Sequence, residues 1–194
     1  MPLIIQERPG DAALIEPLLD ECFGPDRFTK TAYKLRENIQ PQPELSFVTI
    51  DGDSLLATIR YWPITIGEET SALLLGPIAV SPGLQGKGIG VGLIRKTMQV
   101  AMELDHRLIV LVGDPEYYGQ FGFQNAAKLG FKLPGPVEER RFLVKECVPG
   151  ALKDVSGMLA GASLTPQPPG RIAAQSKTTL LTDKLAALSP PADA

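Results

Sequence analysis

Apolar positions along the chain change rhythm from one stretch to the next, and each rhythm predicts an element. Leu3-Ile4-Ile5 opens a short strand that reaches Glu7 and stops at Pro9-Gly10. Asp11 then caps a helix whose Leu14, Ile15, Leu18 and Leu19 repeat at the spacing of one helical face. Pro17 inside it removes a backbone bond, which predicts a bend or a later start. After Gly24-Pro25-Asp26 a second helix is expected from about Phe28 to Asn38, with Phe28, Ala32 and Leu35 turned inward. Leu45 to Ile50 and Leu55 to Ile66 flank the turn Asp51-Gly52-Asp53 and predict an antiparallel hairpin, Pro63 marking a bulge or strand end. The unbroken apolar run from Ala72 to Val80 predicts a strand covered on both faces, hence central in its sheet. Gly76-Pro77 interrupts it where a bulge is expected, because proline cannot donate to the ladder. Ile94, Met98 and Ala101 form the inward stripe of a helix beginning near Gly88, and Arg107 to Val112 is a second buried strand. Asp114 as cap and Pro115 as first helical residue start a short helix that Gly122 ends. Segments 123–131 and 140–148 complete the sheet around the rigid turn Leu133-Pro134-Gly135-Pro136.

From about Ala160 the composition shifts to Pro, Ser, Thr and Ala, which divides the chain into a folded domain over 1–158 and an extension over 159–194. Within the extension, Leu181, Leu185 and Leu188 fall at helical spacing, a short helix to dock on its own domain or on a partner. A length of 194 residues suits one domain with a full core. The net charge of −3 gives no general attraction to nucleic acid or an anionic membrane. Cys22 and Cys147, far apart, suggest neither a disulfide framework nor a metal site. With no long apolar run or leader, the expected location is the cytoplasm.

Chemistry concentrates at Gln85-Gly86-Lys87-Gly88-Ile89-Gly90, between the central strand and its following helix. A strand that turns through glycines into a helix leaves backbone N–H groups and the positive helix end facing outward, a site for phosphates. A P-loop needs Ser or Thr after its lysine, but Lys87 precedes Gly88. A dinucleotide fingerprint read from Gly86 needs its third glycine at Val91, and the acidic ribose-binding residue is missing. By itself the loop also fits a turn that binds nothing.

Gln85-x-x-Gly88-x-Gly90 resembles the pyrophosphate-binding motif of the GCN5-related N-acetyltransferases, the GNAT family. Further on, Tyr118-x-x-x-Gly122-Phe123 resembles the end of that family's fourth helix. The resemblance implies an α/β fold with a mixed, mostly antiparallel sheet splayed at its fourth and fifth strands and helices on both faces. It implies acetyl-CoA as co-substrate, its pyrophosphate wrapped by Gln85, Gly86, Lys87, Gly88, Ile89 and Gly90. The pantetheine would bond to the main chain of Ile78, Ala79 and Val80, one N–H stabilising the oxyanion. Tyr118 would protonate the departing thiolate, with Tyr117 as the alternative. The family's acceptor side implies Phe28, Tyr33 and Arg36 as substrate contacts, an arginine suiting a carboxylate or phosphate; Trp62 is a further candidate, and also fits the core. No metal is implied. The acceptor would be a primary amine on a small molecule or protein, and a homodimer stays open.

Where the family often has asparagine at the start of that helix, this chain has Gly113-Asp114-Pro115. That wording, with Phe23-Gly24-Pro25-Asp26-Arg27-Phe28 and Leu133-Pro134-Gly135-Pro136-Val137, resembles a bacterial YhbS-like subgroup over about residues 3–157. No base stands out; Glu68, Glu69 and Glu116 acting through water are candidates, as is an amine that arrives neutral. His106, the one histidine, follows a helix, where its dipole or solvent accounts for it. Two non-enzymatic classes remain: an acyl-CoA-binding regulatory module, and an interaction protein working through its tail.

Overall fold

The computed structural model describes residues 2–67 and 69–162. Strands among them are β1 (Leu3–Gln6), β2 (Phe47–Asp51), β3 (Ser54–Ile66), β4 (Thr70–Val80), β5 (Leu108–Val112), β6 (Gln124–Asn125), β7 (Phe131–Lys132), β8 (Phe142–Glu146) and β9 (Gly157–Gly161). The α-helices are α1 (Ala12–Phe23), α2 (Thr31–Lys34), α3 (Ile89–Glu103) and α4 (Pro115–Tyr118). The sheet runs β1-β2-β3-β4-β5-β8-β6, antiparallel except for β4 and β5. The apolar run 72–80 thus lies in the middle strand, as its lack of polar alternation requires.

Two departures from regular pairing open that middle. Ile59 pairs with Ile78 but Tyr61 with Leu75, so Gly76 and Pro77 together oppose Arg60 and form the expected bulge. Between β4 and β5, Leu73 faces Ile109 and Leu74 faces Val110, and the register ends there. Beyond the bulge the two strands part.

Alternation sends the side chains of β4 to two different layers. Leu73 and Leu75, with Ile109 and Leu111, meet Leu93, Ile94, Met98 and Ala101 of α3 and the aromatic rings of Tyr118, Phe121 and Phe123. On the opposite face Ile15, Leu18 and Leu19 of α1 pack on Val48 and Ala79, while Leu35, just past α2, joins Trp62, Ile64, Leu74 and Val110. Helices therefore cover both faces.

Several expectations change. The second helix is reduced to α2: Thr29 Oγ1 donates to the Asp26 carbonyl at 2.8 Å, closing a 3₁₀ turn over Pro25–Thr29, and Lys30 is extended. Phe28, expected inward, is 61% exposed. Pro17 lies within an unbroken α1, on its exposed side. Pro63 neither bulges nor ends its strand; it pairs with Leu73. Its carbonyl accepts from Ala162 N–H at 3.1 Å, so the edge that lacks an N–H faces the gap between β2 and β9, where no ladder bond is lost. Segment 123–131 is broken by a 3₁₀ turn over Ala127–Leu129.

The boundary expected at residue 158 falls inside β9. Ile64 pairs with Gly161 and Ile66 with Leu159, which is 1% exposed, so the fold continues through Ala162. Gly161, which fell in the expected extension, is there for close approach: a Cβ on it would stand 2.3 Å from Ile39 Cδ1 and 2.6 Å from the Leu35 carbonyl. The helix expected within 179–188 lies outside the described residues.

Candidate active site

The glycine loop sits where β4 leaves the sheet. Gly86 and Gly88 have φ of +77° and +84°, and nothing lies within 4 Å of where their Cβ atoms would be. Gly88 serves as the N-cap of α3, whose first backbone bond runs from Gly92 N–H to Gly88 O at 2.9 Å. The amides of residues 86–91 find no acceptor among the described residues. Lys87 is exposed beside them, and Ile89 packs toward the core. Gly90 differs from both glycines before it, because its Cβ would lie 3.4 Å from Val80 Cγ2 and from the Tyr117 hydroxyl, so its smallness lets α3 rest on β4. Gln85 folds back, Nε2 donating to the Val80 carbonyl at 3.1 Å.

That same carbonyl accepts from Cys22 Sγ at 3.4 Å, and so points away from β3. Ser81 N–H, next along, donates to Leu56 O on β3. Backbone direction alternates along a strand, so Ala79 turns its N–H to β3, and Ile78 and Val80 turn theirs into the splay. A free strand edge thus leads from the bulge to the glycine loop. Of the three residues expected along it, Ile78 and Val80 offer their amides, and Ala79 is occupied with β3.

A cavity of about 580 Å³ opens beside this edge. Its walls come from Leu75 to Ile78, from Leu111 to Asp114, from residues 29–33 with Arg36, and from Pro136, Val137, Glu138 and Arg141. Tyr118 lines it from α4. Tyr118 is 9% exposed and packed edge-on against Tyr117 and Phe123, and its hydroxyl makes no hydrogen bond among the described residues. Burial pushes its phenol well above the usual range, so it stays protonated. The ring is seated by Gly113, where a Cβ would come within 2.3 Å of Tyr118 Cε2. Tyr117 does not line the cavity; its hydroxyl lies at the start of α3.

Tyr33 and Arg36 line this cavity. Phe28 and Trp62 do not: they line a second hollow, of about 540 Å³, on the far side of Tyr33, Arg36 and Pro77. Trp62 donates Nε1–H to the Ile39 carbonyl at 3.1 Å and stacks on Arg36, so it lies behind that residue rather than at the cavity surface. The carboxylates considered as bases are also elsewhere. Glu69 is at the opposite end of β4 from the bulge, Glu116 is exposed and 3.7 Å from Arg140, and Glu68 lies outside the described residues. Asp114 and Glu138 line the cavity instead. Sequence reading missed them because Asp114 carries the signal of a helix cap, and Glu138 sits in a charged turn that only the fold brings back to the splay. Asp114 Oδ1 accepts from Glu116 N–H at 3.1 Å, and its carboxyl is held below the usual range first by interaction with the Glu116 side chain and then by this backbone contact.

A bulged middle strand, splayed from a parallel neighbour and continued into a glycine-capped helix, is matched by the model of the acetyltransferase (GNAT) family over residues 13–123. The chain belongs to that family. It is 28% identical over 164 residues to the uncharacterized N-acetyltransferase YhbS of Escherichia coli, spanning 81% of this chain and 94% of that protein. It is 29% identical over 134 residues to the uncharacterized N-acetyltransferase YjhQ of the same organism, spanning 67% and 74%. The crystal structure of YhbS in complex with CoA superposes with a TM-score of 0.71, covering 83% of this chain and 89% of that one. A GNAT acetyltransferase from Brucella melitensis in complex with acetyl-CoA gives 0.54 at 27% identity, covering 75% and 96%. Among the described residues of this GNAT chain no helix is long and apolar enough to cross a membrane.

Proposed function

We propose that this chain transfers an acetyl group from acetyl-CoA to a primary amine by direct attack. The observation that carries the reading is the continuity of three features: a free strand edge at Ile78 and Val80, unengaged amides at the start of α3, and the Tyr118 hydroxyl across the cavity. Relatives crystallised with CoA and acetyl-CoA support the choice of ligand. Acetyl-CoA supplies the activated acyl group. The loop Gln85-Gly86-Lys87-Gly88-Ile89-Gly90 binds its pyrophosphate through Gly86, Gly88 and the first amides of α3, with Lys87 adding charge. Ile78 and Val80 hold the pantetheine, and one of their N–H groups stabilises the oxyanion. Tyr118, kept protonated by burial, gives its proton to the thiolate. Asp114 and Glu138 are the cavity carboxylates able to take the ammonium proton through water. A regulatory module without turnover has less support, because it accounts for neither the acceptor-sized cavity nor the free phenol facing it.

The test is a thermal-shift titration with acetyl-CoA beside CoA, longer acyl-CoAs, ATP and NADH, repeated on Gly88→Glu. Stabilisation by acetyl-CoA that the variant loses is expected. No shift with any CoA thioester would return the glycine loop to a structural turn.

A further inference from the structure

Three arginines meet around α1 and α2, and they differ in what surrounds them. Arg27 donates from Nε to Asp20 at 2.8 Å and from Nη2 to Glu16 at 2.6 Å. Arg60 donates to both oxygens of Glu7 at 2.7 Å and reaches Glu16 at 3.2 Å. Carboxylates thus offset the desolvation of both.

Arg36 has no carboxylate. Its guanidinium is held between the rings of Tyr33 and Trp62, 4.4 Å and 4.6 Å from their centroids. Part of the side chain reaches the surface, but Nε and Nη1 are shut off from solvent with no hydrogen-bond acceptor. Burial lowers its pKa to about 10, partly offset by Tyr33, so it remains a cation at neutral pH. Aromatic faces stabilise a cation without satisfying its N–H donors. Of the guanidinium donors it is Nη2, not closed off from solvent and beside Gly76, that is left for an acceptor the protein does not supply.

The surroundings indicate which one. Arg36 lines the cavity at the splay, and its Nη2 is 3.4 Å from where a Cβ on Gly76 would stand, so the bulge glycine leaves room for it beside the free edge of β4. The charged side chains of the cavity are Lys30, Arg36 and Arg141 against Asp114 and Glu138, one positive charge in excess. That matches a single carboxylate. A phosphate, carrying nearly two negative charges, would exceed it and face Asp114 and Glu138.

We propose that Arg36 binds a carboxylate of the acceptor, so that the amine acetylated by this protein belongs to a small amino acid-like amino-carboxylate. The inference rests on the acyl-transfer reading above. Gly76 and Ile78 are two residues apart across the bulge, at most about 7 Å even for a fully extended chain, which places the carboxylate a few bonds from the attacking nitrogen.

Acetyl transfer is followed as CoA thiol release at saturating acetyl-CoA, on free amino acids, their carboxamides, the decarboxylated amines and amino phosphates. For wild type, kcat/KM on the carboxylates is expected to exceed that on the neutral counterparts by roughly a hundredfold. The ratio falls toward one in Arg36→Met and recovers in part in Arg36→Lys, while stabilisation by acetyl-CoA is kept. Methionine retains the stem between the rings and removes an uncompensated charge, so this variant melts no lower than wild type. In parallel, glycine and β-alanine against glycinamide and ethylamine are titrated calorimetrically into the protein–CoA complex of wild type and Arg36→Met. Carboxylate binding that depends on Arg36, without turnover, would uphold the site and remove the transferase reading. Equal rates on charged and neutral amines, a preference for amino phosphates, a carboxylate preference that survives in Arg36→Met, or neither transfer nor carboxylate binding overturns the inference.

Discussion

The hydroxyl of Tyr118 contributes nothing to the fold that a hydrogen-bond partner would reveal, yet its ring is fixed on three sides. Tyr118→Phe is therefore expected to keep the melting temperature and the acetyl-CoA shift, while kcat for acetyl transfer drops by about 10²–10⁴, the range for loss of a general acid. Parallel thermal-shift and CoA-release assays measure both; an unchanged kcat would remove the residue from the mechanism. Gly113 makes the complementary case. Its Cβ would overlap the Tyr118 ring, and Leu111 Cδ1 at 2.9 Å, so Gly113→Ala forces the ring to move. Overpacking of this kind costs about 1–3 kcal/mol, readable by urea unfolding, and should lower kcat as well. The two substitutions separate a phenol that reacts from a glycine that seats it. In the chain alone, Tyr118 was legible by its place before Gly122-Phe123, whereas Gly113 read only as part of a tight turn.

Among the elements, the start of α3 is the one whose local sequence most fully dictates its geometry. Gly86 and Gly88 adopt positive φ with open space around them, so a side chain there meets backbone strain and no neighbour. Gly88→Ala is expected to lose about 1 kcal/mol of stability by chemical denaturation, and to weaken acetyl-CoA binding through the shifted loop. Binding as tight as wild type would show that the loop amides do not hold the pyrophosphate. The strand before it was equally legible: Gly76-Pro77 in an apolar run requires an interruption, and Arg60 opposite the pair shows where it falls. The segment over 28–38 was not. Its side chains would suit a longer helix, but the Thr29 to Asp26 bond and extended Lys30 divide it, which leaves Phe28 at the surface and still sends Tyr33 and Arg36 to the cavity.

For the molecule as a whole, charge is distributed with few unmatched ions inside, and the exceptions mark function or pH dependence. His106, in the turn between α3 and β5, is half-buried, and burial holds its imidazole below the usual range despite Glu44 and Asp105 nearby. The unfolded chain then takes up this proton more readily than the native one. Stability from this group is full above about pH 6.5 and declines as the pH falls from there to the lower native value. Melting temperatures across that window are expected to fall more for wild type than for His106→Gln. Equal slopes would mean that the imidazole titrates alike in both states.

The sequence by itself determined the central place of the run 72–80, the bulge within it and the glycine-started helix, because each depends on residues within a few positions of one another. It determined the family for the same reason, since both motifs are contiguous. Tertiary structure decided what required distant segments to meet. Only in the fold do Arg36, Asp114, Glu138 and Tyr118 share one cavity, and only there does Arg36 differ from Arg27 and Arg60 by having no carboxylate. β9 was likewise decided by contact: residues 159–161 fell in the expected extension, and Gly157–Gly161 becomes a strand because β3 presents an open edge and Gly161 admits Leu35 and Ile39 at close range.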